Sequence, residues 1–146
     1  MRCWHRALIP FLPRLQLISQ WRECCSIAKS IAEKGTPNHI LVNRIMDYPI
    51  DHFEKYTDKV VSELYDRGYF ISESAYRRFM NNIQKIQLKD DKYDGGSYIF
   101  GGWHNDTYLR QCLYNLEEKA ICGGISAEEW SIIYEAFKDF TPLWKE

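Results

Sequence analysis

Apolar residues recur along this chain at intervals of three and four, the spacing that lines one face of an α-helix. Between Pro13 and Gly35 the stripe is Leu17, Ile18, Trp21, Cys24, Cys25, Ala28 and Ile31. Pro13 suits a first helical position, where its missing amide hydrogen is not needed, and Gly35 supplies a stop. The pattern predicts a long amphipathic helix over 13–34, with Arg22 and Glu23 beside its apolar stripe.

Thr36-Pro37-Asn38-His39 reads as a turn, after which Ile40, Leu41, Val42, Ile45 and Met46 suggest a short buried helix. A second long helix starts at Pro49, capped by Asp47 or Tyr48, with Ile50, Phe53, Tyr56, Val60, Val61 and Leu64 on one face and Gly68 at its end. Ser72 or Ser74 caps a third, running to about Ile86 on Tyr76, Phe79, Met80 and Ile83. Asn105 or Asp106 opens a fourth, with Tyr108, Leu109, Cys112, Leu113, Leu116 and Ile121 inward and Gly123 ending it. Ser126 and Glu129 have capping-box spacing, with Ile125 and Trp130 as the staple around it, so a last helix runs to about Phe140.

Three stretches are not helical in pattern. Lys89-Asp90-Asp91-Lys92 looks like a solvated link, paired glycines bracket 94–104 as a short strand or extended loop, and the tail from Pro142 looks irregular. The expected fold is mostly α, a compact single-domain bundle of five or six helices with a short Gly-flanked extended segment, over 1–146.

Composition narrows the partners. Nineteen Lys and Arg stand against twenty Asp and Glu, so no global positive field advertises nucleic acid. The charges segregate, however: residues 1–44 hold Arg2, Arg6, Arg14, Arg22, Lys29, Lys34 and Arg44 against Glu23 and Glu33 alone. The amino-terminal third is basic and the rest acidic. An odd cysteine count with no C-x-x-C pair argues for reduced thiols and against a structural zinc site. No metal or other cofactor is expected. Without a long apolar run or a signal-like start the chain reads as cytoplasmic, with no membrane partner.

On spacing alone Arg22-Glu23 is an ordinary ion-pair pattern on a helix surface. The residues around it change that. Met1-Arg2-Cys3-Trp4-His5, Leu12-Pro13-Arg14 and Arg22-Glu23-Cys24-Cys25 resemble the pyrimidine-dimer DNA glycosylase family of the T4 endonuclease V type and its bacterial and phage relatives that begin Met-Arg-Leu-Trp-His. Weaker echoes continue through Thr36-Pro37-Asn38-His39, Leu41-Val42-Asn43 and the Leu64-x-x-Arg67-Gly68-Tyr69 helix ending. The resemblance covers 1–72 and leaves 73–146 as an additional helical part.

The resemblance implies an all-α glycosylase with an associated lyase step, in which the terminal α-amine attacks the sugar C1′ at a damaged pyrimidine. Met1 would supply the amine and Glu23 the essential carboxylate, with Arg22 on the DNA backbone. The chemistry is sensible, because an α-amine ordinarily titrates near 8, so an appreciable share is unprotonated near neutrality. Arg2 and Arg14 add cations near the same end, and His39 and Asn43, one helical turn apart, are candidates to face the same cleft. A small residue follows Met in family enzymes that use the amine; here Arg2 is large, keeps Met1 in place and displaces the amine by one residue.

Other local features have plainer readings. Trp4 and His5 fit core packing of an anchored terminus better than base stacking, and His104-Asn105-Asp106 fits a helix cap better than a phosphate site. Three functions are carried forward. The first is a repair enzyme on damaged double-stranded DNA or abasic sites. The second is a noncatalytic binder of a nucleotide ligand or nucleic acid on the same scaffold, which near-neutral charge suits better than it suits duplex DNA. The third is a protein-interaction module with an acidic carboxyl-terminal surface.

Overall fold

A computed structural model describes residues 1–89 and 98–140. The residues 90–92 of the expected link, the residues 94–97 of the Gly-flanked segment and the tail from Pro142 lie outside the described residues. The chain is mostly α: five α-helices and two 3₁₀ helices among the described residues, with no strand.

After an extended start, a 3₁₀ helix spans Arg6–Phe11 and α1 spans Arg14–Lys34, ended by Gly35 in the left-handed conformation at φ 80°. A second 3₁₀ helix, Asn43–Asp47, leads into α2, Ile50–Asp66. Then come α3 at Glu73–Lys89, α4 at Asp106–Ile121 and α5 at Ala127–Phe137. The core forms where α1 packs on α3 and α2, filled by Leu17, Ile27, Phe53, Tyr56, Phe79 and Ile83. α4 adds Cys112, Leu113 and Leu116 to it, whereas α5 buries only Ile133.

Capping chemistry explains most boundaries. Ser72 Oγ accepts from the Ala75 amide, Asn105 Oδ1 accepts from the Tyr108 amide, and Ser126 with Glu129 forms the reciprocal capping box. The α2 start differs from expectation, since Pro49 is the cap and no side chain closes it. Tyr48 turns away instead, and its hydroxyl accepts from the Trp103 amide at 2.8 Å.

Three other expectations need correction. Ile40, Leu41 and Met46 are exposed, because a five-residue 3₁₀ helix has only enough inward surface for Ile45, with Val42 just ahead of it. Ile121 is exposed too, because five residues past Leu116 it lies about 140° around α4 from that buried side chain. The described half of the Gly-flanked segment is a pair of tight turns, with no strand. Phe100 sits there at φ 52°, a costly conformation for a bulky side chain. Its fully buried ring holds it in place, packed against Tyr48, Tyr56, Trp103 and His104.

Candidate active site at the amino terminus

Residues 1–5 have no regular partner strand, so their backbone groups must be satisfied by side chains or water. Gln20 does most of this. It lies fully buried on the core side of α1, where its amide nitrogen donates to the Arg2 carbonyl at 2.7 Å and its oxygen accepts from the Trp4 amide at 2.9 Å. The buried Tyr56 hydroxyl of α2 donates to the Trp4 carbonyl at 2.6 Å and lies 3.1 Å from the same Gln20 oxygen. From α4 the Tyr108 hydroxyl donates to the Cys3 carbonyl at 2.5 Å. Three helices therefore clamp one extended segment.

A histidine pair fixes the next turn. His5 Nδ1 accepts from the Ala7 amide and caps the first 3₁₀ helix, while His5 Nε2 donates to the His104 carbonyl at 2.9 Å. His104 Nδ1 accepts from the Arg6 amide at 3.0 Å. Each ring thus has an acceptor nitrogen that protonation would destroy. Burial, reinforced by the Arg6 cation, pushes the His5 pKa down to about 4, and burial beside His5 holds His104 well below the usual histidine range. Both rings are neutral structural parts. Trp4 is buried like them, so core packing is the reading that holds for Trp4, His5 and, across α1, Trp21.

The clamp delivers Met1 to Glu23. The terminal amine lies 3.9 Å from Glu23 Oε1, and the Arg2 amide donates to Glu23 Oε2 at 3.1 Å. Both partners of that ion pair keep about a third of their surface open to solvent. They line a cleft of about 350 Å³ together with Arg2, Gln16, Asn115 and Lys119. Three cationic groups, the amine, Arg2 and Lys119, face one carboxylate there. Arg2 is partly turned inward, with its guanidinium 5.2 Å from the Trp4 ring. It also offsets part of the burial that raises the Cys112 thiol.

The other singled-out residues lie elsewhere. Arg22 is exposed on α1 beside Glu23 without lining the cleft. Arg14 is exposed at the start of α1, over the Tyr69 ring at 5.5 Å. His39 and Asn43 hold each other: Asn43 Oδ1 accepts from the His39 amide at 2.9 Å, and His39 Nδ1 accepts from the Leu41 amide at 3.3 Å. That knot places Leu41 on the cleft rim rather than either polar side chain. Among the described residues no three His, Cys, Asp or Glu side chains gather as metal ligands. No described helix is long and apolar enough to cross a membrane.

Gln20, Tyr56, Tyr108, Asn115 and Lys119 do not stand out as site residues in the sequence. For Gln20 a signal exists, because it falls at the apolar phase of α1 between Leu17 and Cys24, and a polar residue at a core position asks for a partner. Asn115 and Lys119, one turn apart on the helix outside the family-like part, carry no such mark.

No curated protein and no solved structure matches the chain. A family model does, that of pyrimidine dimer DNA glycosylases, over residues 1–77. Those residues hold the clamped terminus, α1, α2 and Glu23, and they make up more than half of the 146-residue chain. The chain belongs to the pyrimidine dimer DNA glycosylase family.

Proposed function

We propose that this chain is a DNA repair glycosylase with an associated lyase step, acting on damaged pyrimidines or abasic sites through the Met1 amine and Glu23. The observation that carries this reading is the 3.9 Å approach of the terminal amine to Glu23 Oε1 inside a cation-lined cleft. Arg2, despite its size, does not keep the amine from the carboxylate.

The neutral amine nitrogen attacks C1′, and the bond from C1′ to the base breaks with its electron pair leaving on the base. Glu23 takes the proton released from nitrogen and returns it to the ring oxygen as the sugar opens, leaving a protonated imine. Loss of a C2′ proton then expels the 3′ phosphate by β-elimination, and water releases the amine. Before that, the Glu23 carboxylate stabilises positive charge building at C1′.

The remaining assignments follow position. Arg2 and Lys119 line the cleft and are assigned to the flanking phosphates. Arg22 and Arg14, both exposed on α1, are assigned to backbone phosphates farther out. His39 and Asn43 act by holding the rim loop. The substrate is damaged double-stranded DNA, with no cofactor.

Borohydride reduction with abasic or ultraviolet-damaged DNA tests the reading. The expected result is a covalent adduct on the amino-terminal peptide, reduced at least about 100-fold by Glu23→Gln and abolished by one residue added before Met1. A wild-type protein that traps nothing, yet melts higher with a free nucleotide, would instead establish the noncatalytic binder, for which a cleft of about 350 Å³ is large enough.

A further inference from the structure

A second polar groove, of about 410 Å³, runs between α1 and α3. α1 contributes Lys29 and Glu33 to it, and α3 contributes Arg78, Asn82 and Lys85. Three cations thus share the groove with one carboxylate. None of the three is within ion-pair distance of an acidic side chain among the described residues. Their neighbour Arg77 shows the contrast, since it is paired with Glu73 at 3.1 Å on the same helix. In a chain of net charge −1, unpaired cations gathered in a groove point to an anionic ligand.

The length of the groove identifies that ligand further. Arg78 and Lys85 are seven residues apart, about 10 Å along the helix, or about three nucleotide steps of one DNA strand at 3.4 Å each. Arg78 shares the groove with Cys25 of α1, where its charge opposes the burial that pushes the Cys25 thiol up to about 11. The groove is therefore bridged by cation on both walls.

Its direction from Glu23 follows from helix geometry. At about 100° per residue, Ser26 lies about 60° around α1 from Glu23, Arg22 about 100° and Lys29 about 120°, all in the same sense. The exposed face of α1 thus runs from the Glu23 cleft over Ser26 and Arg22 to the groove. Lys119 of α4 lines the cleft itself.

We propose that the α1–α3 groove is a second DNA-backbone site, which receives the strand after it has crossed α1 from the Glu23 cleft. Arg22 is the bridging residue on this track, and Lys29, Arg78 and Lys85 take phosphates spread over about three nucleotide steps. The inference rests on the reading of the chain as a DNA-acting protein, and it does not need the imine step. α3, which mostly lies beyond the family-matched residues, gives this chain a grip on the duplex that its global charge does not.

The test is fluorescence anisotropy of the full chain with a duplex carrying a central abasic-site analogue, over a series of salt concentrations. Lys29→Gln, Arg78→Gln and Lys85→Gln combined should weaken binding about tenfold or more at moderate salt. The slope of log affinity against log salt should fall by about two to three, at about 0.9 for each phosphate that the variant leaves unneutralised. All three side chains are exposed, so thermal unfolding should hardly move; Arg77→Gln is the control and should change the slope little. An unchanged slope in the triple variant overturns the proposal, as does a wild-type chain that binds no duplex. A wild-type chain that binds with this groove dependence but traps no adduct sinks the lyase reading and leaves the groove standing.

Discussion

The two ends of this molecule are held by different physics. Residues 1–5 run through a set of buried and half-buried hydrogen bonds from Gln20, Tyr56 and Tyr108, three side chains on three helices. α5 is held by one deeply buried side chain, Ile133, by the half-buried Trp130 and Phe137 packed against the core, with Phe137 edge-on to Phe11, and by its own capping box. The first arrangement is directional, because each hydrogen bond constrains distance and angle, and the second is mostly non-directional apolar packing. An amine that must meet a carboxylate needs the first kind. The boundary between the kinds does not follow the family-matched residues, because Tyr108 and Lys119 bring α4 to the terminus while α5 stays outside.

The largest way to break the contrast is Gln20→Leu. Leucine nearly fills the space but leaves the buried Trp4 amide and the half-buried Arg2 carbonyl without their Gln20 partner, and it takes away the oxygen beside the Tyr56 hydroxyl. The expected loss is about 3 kcal/mol of unfolding free energy, read from urea midpoints. Adduct trapping should fall as well, because the amine would no longer be held at Glu23. Equal stability with normal trapping would show that the clamp does not position the terminus.

Acidification probes the same end through its histidines. His5 takes up a proton near 6.5 when unfolded but only near 4 when folded. Above 6.5 neither state holds the proton, and this penalty is absent. Between 6.5 and about 4 the unfolded chain binds it and the folded chain does not, so stability must fall as pH falls. The full loss is about 3 kcal/mol from His5, and His104 adds to it in the same direction. His5→Asn keeps an acceptor for the Ala7 amide and should flatten the slope of stability against pH in this window. If the slope survives that change, His5 is not the group that titrates.

Much of the fold was legible because helix signals are local. Pro13 and Gly35 bracket α1, and Ser126 with Glu129 opens α5, each within a few residues of what they control. Legibility failed where a residue serves distant backbone. Arg67 was readable only as part of a helix ending, yet its guanidinium donates to the carbonyls of Leu12 and Pro10, more than fifty residues away. Ile40 and Leu41 looked buried because apolar runs usually are, and a short 3₁₀ turn had no room for them. At the site, Met1 and Glu23 came from the family resemblance, whereas Asn115 and Lys119 required the packing of α4 to be known.

The smallest effect is expected at the loosely held end, and it separates the two regions most cleanly. Ser126→Ala removes the hydroxyl that accepts from the Glu129 amide at 3.1 Å, and with it one half of the capping box. Such caps contribute about 1 kcal/mol. Because Ile133 is the one deeply buried residue of α5, much of that loss should appear as local fraying, read as faster amide exchange in α5 than in α1. Global unfolding should shift by less than the full amount, and trapping at Glu23 should be unchanged. A Ser126→Ala chain that loses trapping would mean that α5 supports the terminus through Phe11 and Phe137, and the two ends would then be one mechanical unit.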